Sequence, residues 1–261
     1  WSRVGPVPLW PFLAPGYRFR VPTLELVRSN LQDRTSRHIM LLTHNAAALA
    51  LLFDCGLLRE LEVDVLFGSR FPDDVSELQL VQQVNRVKMA MAAGRTIVLV
   101  NHDNIYEALY DVLNQRYLIK RDPRTGETRR LLRLAIGSRS QLCICHDNFK
   151  VVVIVEMQHA HERLDLPLLN RFEKQELAPT HALVPAQERL CARLREWVHA
   201  VAAELGLLET ELLEKATAVQ RRCALGSIFC GWHEGMLASL ALQLPADESE
   251  GETSDDISNS S

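Results

Sequence analysis

Short apolar runs alternate with amphipathic stretches along most of the chain. Four of these runs have the length of a buried strand: His38–Thr43, Glu62–Phe67, Arg95–Val100 and Lys150–Val155. Helical patterns at Ala46–Leu58 and Val75–Ala93 separate the first three, and strands that alternate with helices form parallel sheets. Val151–Val155 is apolar at every position, as expected for a strand covered on both faces. The pattern therefore predicts an α/β fold with a parallel sheet flanked by helices.

Polar residues and glycines mark the predicted helix ends. We expect Asn45 to cap the helix that begins at Ala46 and ends near Gly56, and Gly94 to occupy the C-terminal cap of the next one. Asp103 or Asn104 is expected to cap a further helix that reaches about Arg116.

A basic β-hairpin is predicted within residues 117–140. Two arms, Tyr117–Lys120 and Leu131–Ile136, flank the turn sequence Asp122–Gly126. Between Arg116 and Arg139 there are eight basic and two acidic residues. The hairpin residues that could bind an anion are Lys120, Arg121, Arg124, Arg129, Arg130 and Arg133.

The pattern changes to helical after about residue 179. Pro185–Leu205 and Leu207–Arg222 predict two amphipathic helices, and Cys223–Leu244 predicts a third. Residues 245–261 hold six acidic residues, no basic residue and no aromatic one, so we expect them to be disordered. The predicted organisation is an irregular N-terminal segment (1–35), an α/β subdomain (36–178), a helical subdomain (179–244) and an acidic tail (245–261).

Composition agrees with a globular protein and locates its charge. The 261 residues are 47% hydrophobic and carry a net charge of −4. Without the six acids of the tail, 27 acidic residues remain against 29 basic ones, so the body is slightly positive. The apolar runs are too short to cross a bilayer. Because the chain begins with Trp1 and not with Met, we interpret it as a fragment of a longer protein. We interpret its scattered cysteines as reduced thiols of a cytosolic protein.

Two interpretations of Cys143, Cys145 and His146 stay open. Cysteine and histidine are zinc ligands, but the spacing matches no common zinc motif. The alternation of Cys143 and Cys145 instead favours one buried face of a short strand.

The candidate nucleotide-binding positions lack the expected chemistry. After the first strand, Thr43–Leu49 contains no glycine and no lysine, which a phosphate-binding loop needs. The third strand leads to Asn101-His102-Asp103, where only Asp103 is acidic, and Asp103 could instead cap a helix. No Gly-x-Ser-x-Gly motif accompanies the histidines, which disfavours a histidine-dependent hydrolase.

Several long blocks resemble the mysterin family of giant AAA+ ATPases, which are also RING-type ubiquitin ligases. The blocks are His38–Thr43, Phe67–Pro72, Val84–Lys88, Gly94–Asn101, Ile105–Gln115 and Leu166–Lys174. They lie in order over about residues 36–180, and a weaker similarity continues to about Gln243. The resemblance implies a AAA+ module with a helical lid, taken from a tandem array of such modules.

The resemblance also assigns roles to individual residues. Arg171 lies in the block that carries the arginine finger, whereas pairing with Glu173 or Glu176 is the surface alternative. Asn101 and Asp103 occupy a degenerate Walker-B position, and no residue matches the Walker-A lysine. ATP and Mg²⁺ would then be cofactors of other modules, and zinc of the ligase part. The implied partners are neighbouring AAA+ modules and a ubiquitin-conjugating enzyme, and the implied location is the cytosol, including lipid droplets.

Three functions follow from these observations. The first is a non-hydrolysing AAA+ module that braces a ring and relays motion from active modules. The second is an active ATPase with an unorthodox site, for which Arg86 and Lys88 are the candidate cations. The third is a binding module whose basic hairpin docks nucleic acid, anionic lipid or an acidic protein.

Overall fold

A computed structural model describes residues 21–44, 47–69, 71, 76–121, 126, 128–137, 139–205, 224–233 and 235–244. Asn45, Arg124, the predicted helix Leu207–Arg222 and the acidic tail fall outside these residues. Within them, no helix is both long enough and apolar enough to cross a membrane.

Five parallel strands form the main sheet; four of them lie at the predicted apolar runs, and the fifth, β8, was not predicted. They are β1 (Ile39–Thr43), β2 (Val63–Phe67), β3 (Thr96–Val100), β7 (Lys150–Glu156) and β8 (Glu173–Glu176). Their order across the sheet is β2-β3-β7-β1-β8, and every neighbouring pair is parallel. The chain therefore crosses over β1 between β7 and β8, which places β1 between strands that follow it in sequence.

Both faces of this sheet are buried, which explains why its central strands are apolar at every position. Val151, Val153 and Val155 pack into one core cluster, whereas Val152 and Ile154 pack into a second cluster on the other face. Helices α1 (Thr23–Gln32) and α2 (Ala47–Asp54) cover the second face. Helices α3 (Glu77–Ala93) and α4 (Tyr110–Leu113) cover the first.

The long helix α3 ends at the predicted residue and begins at Glu77, two residues after the predicted start. Ser76 accepts a hydrogen bond from the Gln79 backbone N–H, and Gly94 closes the helix with a φ of 72°. The left-handed backbone conformation costs glycine little free energy, so the chain can turn directly from Gly94 into β3. Gly56, with a φ of 62°, follows the shorter α2 in the same conformation.

A separate antiparallel sheet is inserted between α4 and β7. It consists of β4 (Leu118–Arg121), β5 (Thr128–Ile136) and β6 (Arg139–Cys145), in the order β4-β5-β6. The predicted hairpin corresponds to β4 and β5, and the third strand extends the insertion to Cys145. Cys143 and Cys145 lie buried on one face of β6, which confirms the strand-face interpretation.

Two further helices pack together in the C-terminal part that the structure describes. They are α7 (Pro185–Glu204) and the helix Met236–Leu242, which we number α8, and they pack around Cys191, Val198, Leu237 and Ala241. Between β7 and β8 the chain forms two short helices, α5 (Met157–Arg163) and α6 (Leu166–Leu169).

Three sequence predictions need correction. Residues 1–35 were expected to be irregular, but Thr23–Gln32 is a helix that begins directly after Pro22. The helix expected from Asp103 to Arg116 is broken into a 3-10 turn, Asp103–Ile105, and the four-residue α4. Asp103 caps no helix, because the cap position belongs to His102 and no side-chain cap bond forms there.

Candidate functional site

The carboxyl ends of the parallel strands form the natural binding edge of this fold. Asn101, His102 and Asp103 follow β3 there, and His44 follows β1. The structure thus brings Asn101 and Asp103, which the sequence predicts to be a degenerate Walker-B pair, to the same edge as the segment after β1.

Thr43, the last residue of β1, contacts the start of the helix that follows this strand. Its hydroxyl oxygen Oγ1 accepts a hydrogen bond from the Ala48 backbone N–H over 3.3 Å, and Thr43 is 1% exposed. Free N–H groups at a helix start are what bind phosphate. One of them is satisfied here by a side chain of the same segment.

Asn101 connects the ends of two strands. Its backbone N–H donates to the Ile154 carbonyl over 2.9 Å, and its side-chain Oδ1 accepts from the Glu156 backbone N–H over 3.4 Å. Its φ of 48° lies in the left-handed region, which asparagine tolerates better than most residues. The amide thus holds β3 to β7 and leaves no carboxylate at this position.

Asp103 pairs with a histidine that the sequence did not single out as its partner. Its Oδ2 lies 2.6 Å from Nε2 of His159, which α5 presents after the end of β7. The other oxygen, Oδ1, is buried without a hydrogen-bond partner. The pair joins the ends of β3 and β7 a second time, beside the Asn101 bridge.

His102, which lies between Asn101 and Asp103 in the sequence, is buried, and its side chain contacts helix α3. Its Nε2 lies 2.5 Å from Oε1 of Gln83 on α3. Burial lowers the pKa of His102, and the neighbouring Asp103 only partly opposes this effect. A neutral ring whose Nε2 faces an amide oxygen acts as a donor there. No sequence motif indicates this contact, since Gln83 lies 19 residues away.

A cavity of about 400 Å³ opens beside His102. It lies between the carboxyl end of β2 and the start of α3 rather than at β1, and Phe67, Ser76, Leu80 and Asn104 are among the residues that line it. Tyr106, three residues after Asp103, is buried, and burial together with Asp103 raises the pKa of its hydroxyl.

Arg171 follows α6 and lies over an aromatic ring of its own chain. Its guanidinium carbon is 4.2 Å from the centroid of the Tyr110 ring, and that of Arg116 is 5.5 Å from the same centroid. Among the described residues, Arg171 forms no ion pair with Glu173 or Glu176, so the surface alternative is wrong in its partner. Glu173 instead accepts a hydrogen bond from Asn30 over 2.6 Å.

The cations of the inserted sheet divide between its two faces. Arg130 forms an ion pair of 2.9 Å with Asp147 and lies over the Tyr117 ring, 3.8 Å from its centroid. Lys120, Arg129 and Arg133 are exposed, and so is Arg121. The structure therefore places the described candidates on one small antiparallel sheet that is separate from the main sheet.

Buried titratable groups also lie at the opposite edge of the main sheet. Lys150 is 5% exposed and donates to the Asp33 carbonyl over 3.1 Å and to the Ser36 hydroxyl over 2.6 Å. Burial lowers its pKa to about 8. His38 is fully buried, accepts from the Val151 backbone N–H over 3.2 Å, and has its pKa lowered to about 3 by burial and by Lys150.

The cysteine cluster behaves as part of the core. Burial raises the pKa of Cys143, and it raises that of Cys145 to about 11, so both thiols stay protonated at neutral pH. In the described part of the chain, no three histidine, cysteine, aspartate or glutamate side chains are placed to hold a metal ion.

Comparisons with known proteins agree with this architecture. A family model described as the RNF213 AAA domain matches residues 28–183. The chain is 31% identical over 225 residues to the human E3 ubiquitin-protein ligase RNF213, 29% over 238 residues to the mouse protein of that name, and 30% over 231 residues to zebrafish rnf213-beta. The aligned regions cover 85%, 87% and 86% of this chain.

The same alignments cover about 4% of the length of each relative, so the chain spans a small part of those proteins. The match to the family model, in contrast, includes the whole parallel sheet and its inserted strands. Because that match extends over more than half of the chain, this protein belongs to the RNF213 AAA-domain family.

Proposed function

We propose that this module acts structurally within an RNF213-like ubiquitin ligase and does not hydrolyse ATP. The observation that carries the proposal is the contact between Thr43 and Ala48 at the start of α2. A phosphate-binding loop needs glycines for close backbone approach and a lysine for the phosphate oxygens. The segment after β1 has neither residue, and its own side chain takes up a helix-start N–H group.

The degenerate Walker-B residues support the same proposal. Asn101 is engaged between strands, and one oxygen of Asp103 is engaged with His159. To bind water or Mg²⁺ through Oδ2, Asp103 would have to give up its short contact with His159, and its other oxygen, Oδ1, is buried. We therefore assign both residues to the connection of β3 with β7.

The alternative of an unorthodox ATPase loses its two candidate cations. Lys88 donates to Gln141 Oε1 on β6 over 3.0 Å, and Arg86 donates to the Val65 carbonyl on β2 over 3.5 Å. Lys88 is thus held at the inserted sheet and Arg86 at the edge strand β2. The phosphate-binding position would follow β1, which lies three places from β2 across the sheet.

A bracing role gives Arg171 a purpose without nucleotide. The segment around it is tied to the module by three long-range contacts. Arg171 lies over Tyr110, Arg37 donates to the Asn170 carbonyl over 2.5 Å, and Asn30 donates to Glu173. A segment held at three points can transmit a displacement from a neighbouring AAA module into α1 and β1. The ligase step, its zinc and the ubiquitin-conjugating enzyme belong in this proposal to other parts of such a protein, in the cytosol or on lipid droplets.

Equilibrium titration of the whole chain with ATP and Mg²⁺ tests the proposal. We expect no saturable binding in the micromolar range and no turnover above background, with Asp103→Asn indistinguishable from the parent chain. Micromolar, magnesium-dependent binding would contradict a structural role, and turnover abolished by Asp103→Asn would establish the ATPase alternative.

The bracing role has its own test. With a purified neighbouring AAA module from an RNF213 relative, Arg171→Glu should weaken association, whereas Arg195→Glu on the exposed side of α7 should not. Equal effects of the two substitutions would reject Arg171 as a contact between modules.

A further inference from the structure

One face of the inserted sheet is buried at its centre, although Ile119 at the β4 edge of that face is 72% exposed, and the other face is exposed. On the buried face, Leu132 and Leu134 of β5 join Cys143 and Cys145 of β6 in the core beneath α3 and α4. Strand side chains alternate between faces, so the residues between these positions point the other way. Residues directly opposite each other on antiparallel strands share a face, which makes the exposed face readable from the strand register.

Three aliphatic residues form a row across the exposed face. Leu118 of β4 lies opposite Leu131 of β5, which lies opposite Ile144 of β6. Leu118 and Ile144 are each 49% exposed. Aliphatic residues this exposed, in one continuous row, are a feature of interaction surfaces.

Cations border this row on both sides. Lys120 and Arg129 face each other in one neighbouring row, and Arg133 lies opposite Leu142 in the other. All four of these residues are exposed in the described part of the chain. We define the outer face as the aliphatic row Leu118, Leu131 and Ile144 together with Leu142, Lys120, Arg129 and Arg133.

The outer face fits an acidic segment that carries an aliphatic side chain. Its own positions are aliphatic or cationic, so it has no aromatic ring on which nucleic-acid bases would stack. The chain contains one strongly acidic stretch, residues 245–261, with six carboxylates and no basic residue. Within it, Ile257 directly follows Asp255 and Asp256, which offers an aliphatic side chain beside two carboxylates.

We propose that residues 245–261 bind the outer face, with Ile257 on the aliphatic row and Asp255 and Asp256 on its cations. An extended chain advances about 3.3–3.6 Å per residue, so this segment can reach tens of ångströms beyond Leu244. Binding within one molecule or between two copies uses the same contacts. This inference is independent of the proposed function, since it involves neither the strand ends of the main sheet nor Arg171.

Zero-length carbodiimide cross-linking of the whole chain tests the inference, because it joins a lysine to a carboxylate only in direct contact. We expect mass spectrometry to find Lys120 joined to carboxylates of residues 245–261. The cross-link should disappear in Arg129→Glu/Arg133→Glu, and at about 1 M salt, where screening acts over about 3 Å. Arg59→Glu, an exposed cation elsewhere on the chain, should leave it unchanged.

Ile257→Ser separates the aliphatic contribution from the electrostatic one. It should reduce the cross-link, whereas Ser258→Ala beside it should not. Absence of the cross-link, or its persistence in Arg129→Glu/Arg133→Glu, would overturn the inference. If the cross-link is absent and vesicles containing phosphatidylserine bind the outer face, the inference is overturned in favour of a lipid surface as the occupant. A dependence of yield on protein concentration would place the contact between copies and would support the inference equally.

Discussion

The guanidinium of Arg171 lies over the ring of Tyr110, 4.2 Å from its centroid. This contact joins the segment after α6 to the first residue of α4, which are 61 positions apart along the chain. It places Arg171, which the sequence predicts to be an arginine-finger-like residue, on an aromatic ring of its own module. The guanidinium carbon of Arg116 lies 5.5 Å from the same centroid, so two cations contact one aromatic ring.

Replacing Arg171 with alanine should destabilise the protein by about 0.5–1 kcal/mol, the usual value of a partly exposed cation–π contact. Urea unfolding measures this loss, and a double-mutant cycle with Tyr110→Leu isolates the pair. We expect a coupling energy of similar size in the cycle. Arg195→Ala, an exposed cation on α7, serves as the control and should change stability by less than about 0.5 kcal/mol. A coupling energy of zero would show that Arg171 and Tyr110 do not interact in solution.

Apolar periodicity predicted the parts of this fold that burial dominates. The four predicted runs became β1, β2, β3 and β7. The three inner strands β1, β3 and β7 are covered on both faces and leave a continuous apolar signal, whereas the edge strand β2 leaves an alternating one. Strand β8 was missed, since Glu173–Glu176 contains only polar residues and owes its conformation to pairing with β1. Helix α1 was missed for a similar reason, because only Val27 and Asn30 of its residues are buried.

The candidate site was predictable in position but not in its contacts. Asn101 and Asp103 lie at the strand end where the sequence placed them. The partners His159 and Gln83 were not predicted, because pairs 56 and 19 residues apart leave no periodic signal. The helix expected after Asp103 also failed at this point. Its first turn is 3-10, so Asp103 is free to contact His159 instead of capping an α-helix.

His38 should make the protein less stable as the pH falls below about 6.5. Its pKa is lowered to about 3 in the folded state from 6.5, so between these values the unfolded chain binds a proton that the folded chain does not. The free energy of unfolding should fall by up to about 1.4 kcal/mol per pH unit from this group. Urea unfolding at several pH values between about 4 and 7, which covers most of this window, measures the slope.

His38→Gln should make that slope shallower, because glutamine has no titrating ring. His161→Gln, at an exposed position on α5, should leave the slope as it is in the parent chain. Parallel slopes for the parent and His38→Gln would mean that His38 is solvated in solution.

Lys150 should increase stability with pH on the alkaline side. Its pKa is lowered from 10.5 to about 8, so between these values the unfolded chain keeps a proton that the folded chain releases. The free energy of unfolding should gain up to about 1.4 kcal/mol per pH unit from this group over that window. Below about pH 8 the buried cation is present in the folded state, and its full desolvation cost applies.

Comparison with Lys150→Met isolates this contribution, since other lysines and tyrosines also titrate in the window. The difference in unfolding free energy between the parent chain and Lys150→Met should shift in favour of the parent as the pH rises. Lys120→Met, at an exposed position of β4, should show no such shift. A constant difference across the window would show that Lys150 keeps its ordinary pKa.

Gly68→Ala should damage the strand ends that carry the candidate site. Gly68 donates its backbone N–H to the Val100 carbonyl over 2.8 Å, which brings the chain after β2 directly against the end of β3. A Cβ atom at Gly68 would overlap the Asn101 carbonyl oxygen and lie 2.6 Å from Cα of His102. These are backbone atoms, so no side-chain rotation can relieve the overlap, and we expect a loss of about 1–3 kcal/mol in unfolding free energy. Gly226→Ala, where no atom lies within 4 Å of the new Cβ, should change stability by less than about 0.5 kcal/mol.

Hydrogen exchange distinguishes local damage from a general loss of stability. The Asn101 N–H, which donates to Ile154, should exchange faster in Gly68→Ala than the global destabilisation accounts for. The N–H groups of β7, in the centre of the sheet, should exchange faster only by the amount that the global destabilisation predicts. If Gly68→Ala and Gly226→Ala behaved alike, β2 and β3 would not approach each other closely at their carboxyl ends. In that case the Asn101 bridge would have to form without the support of Gly68.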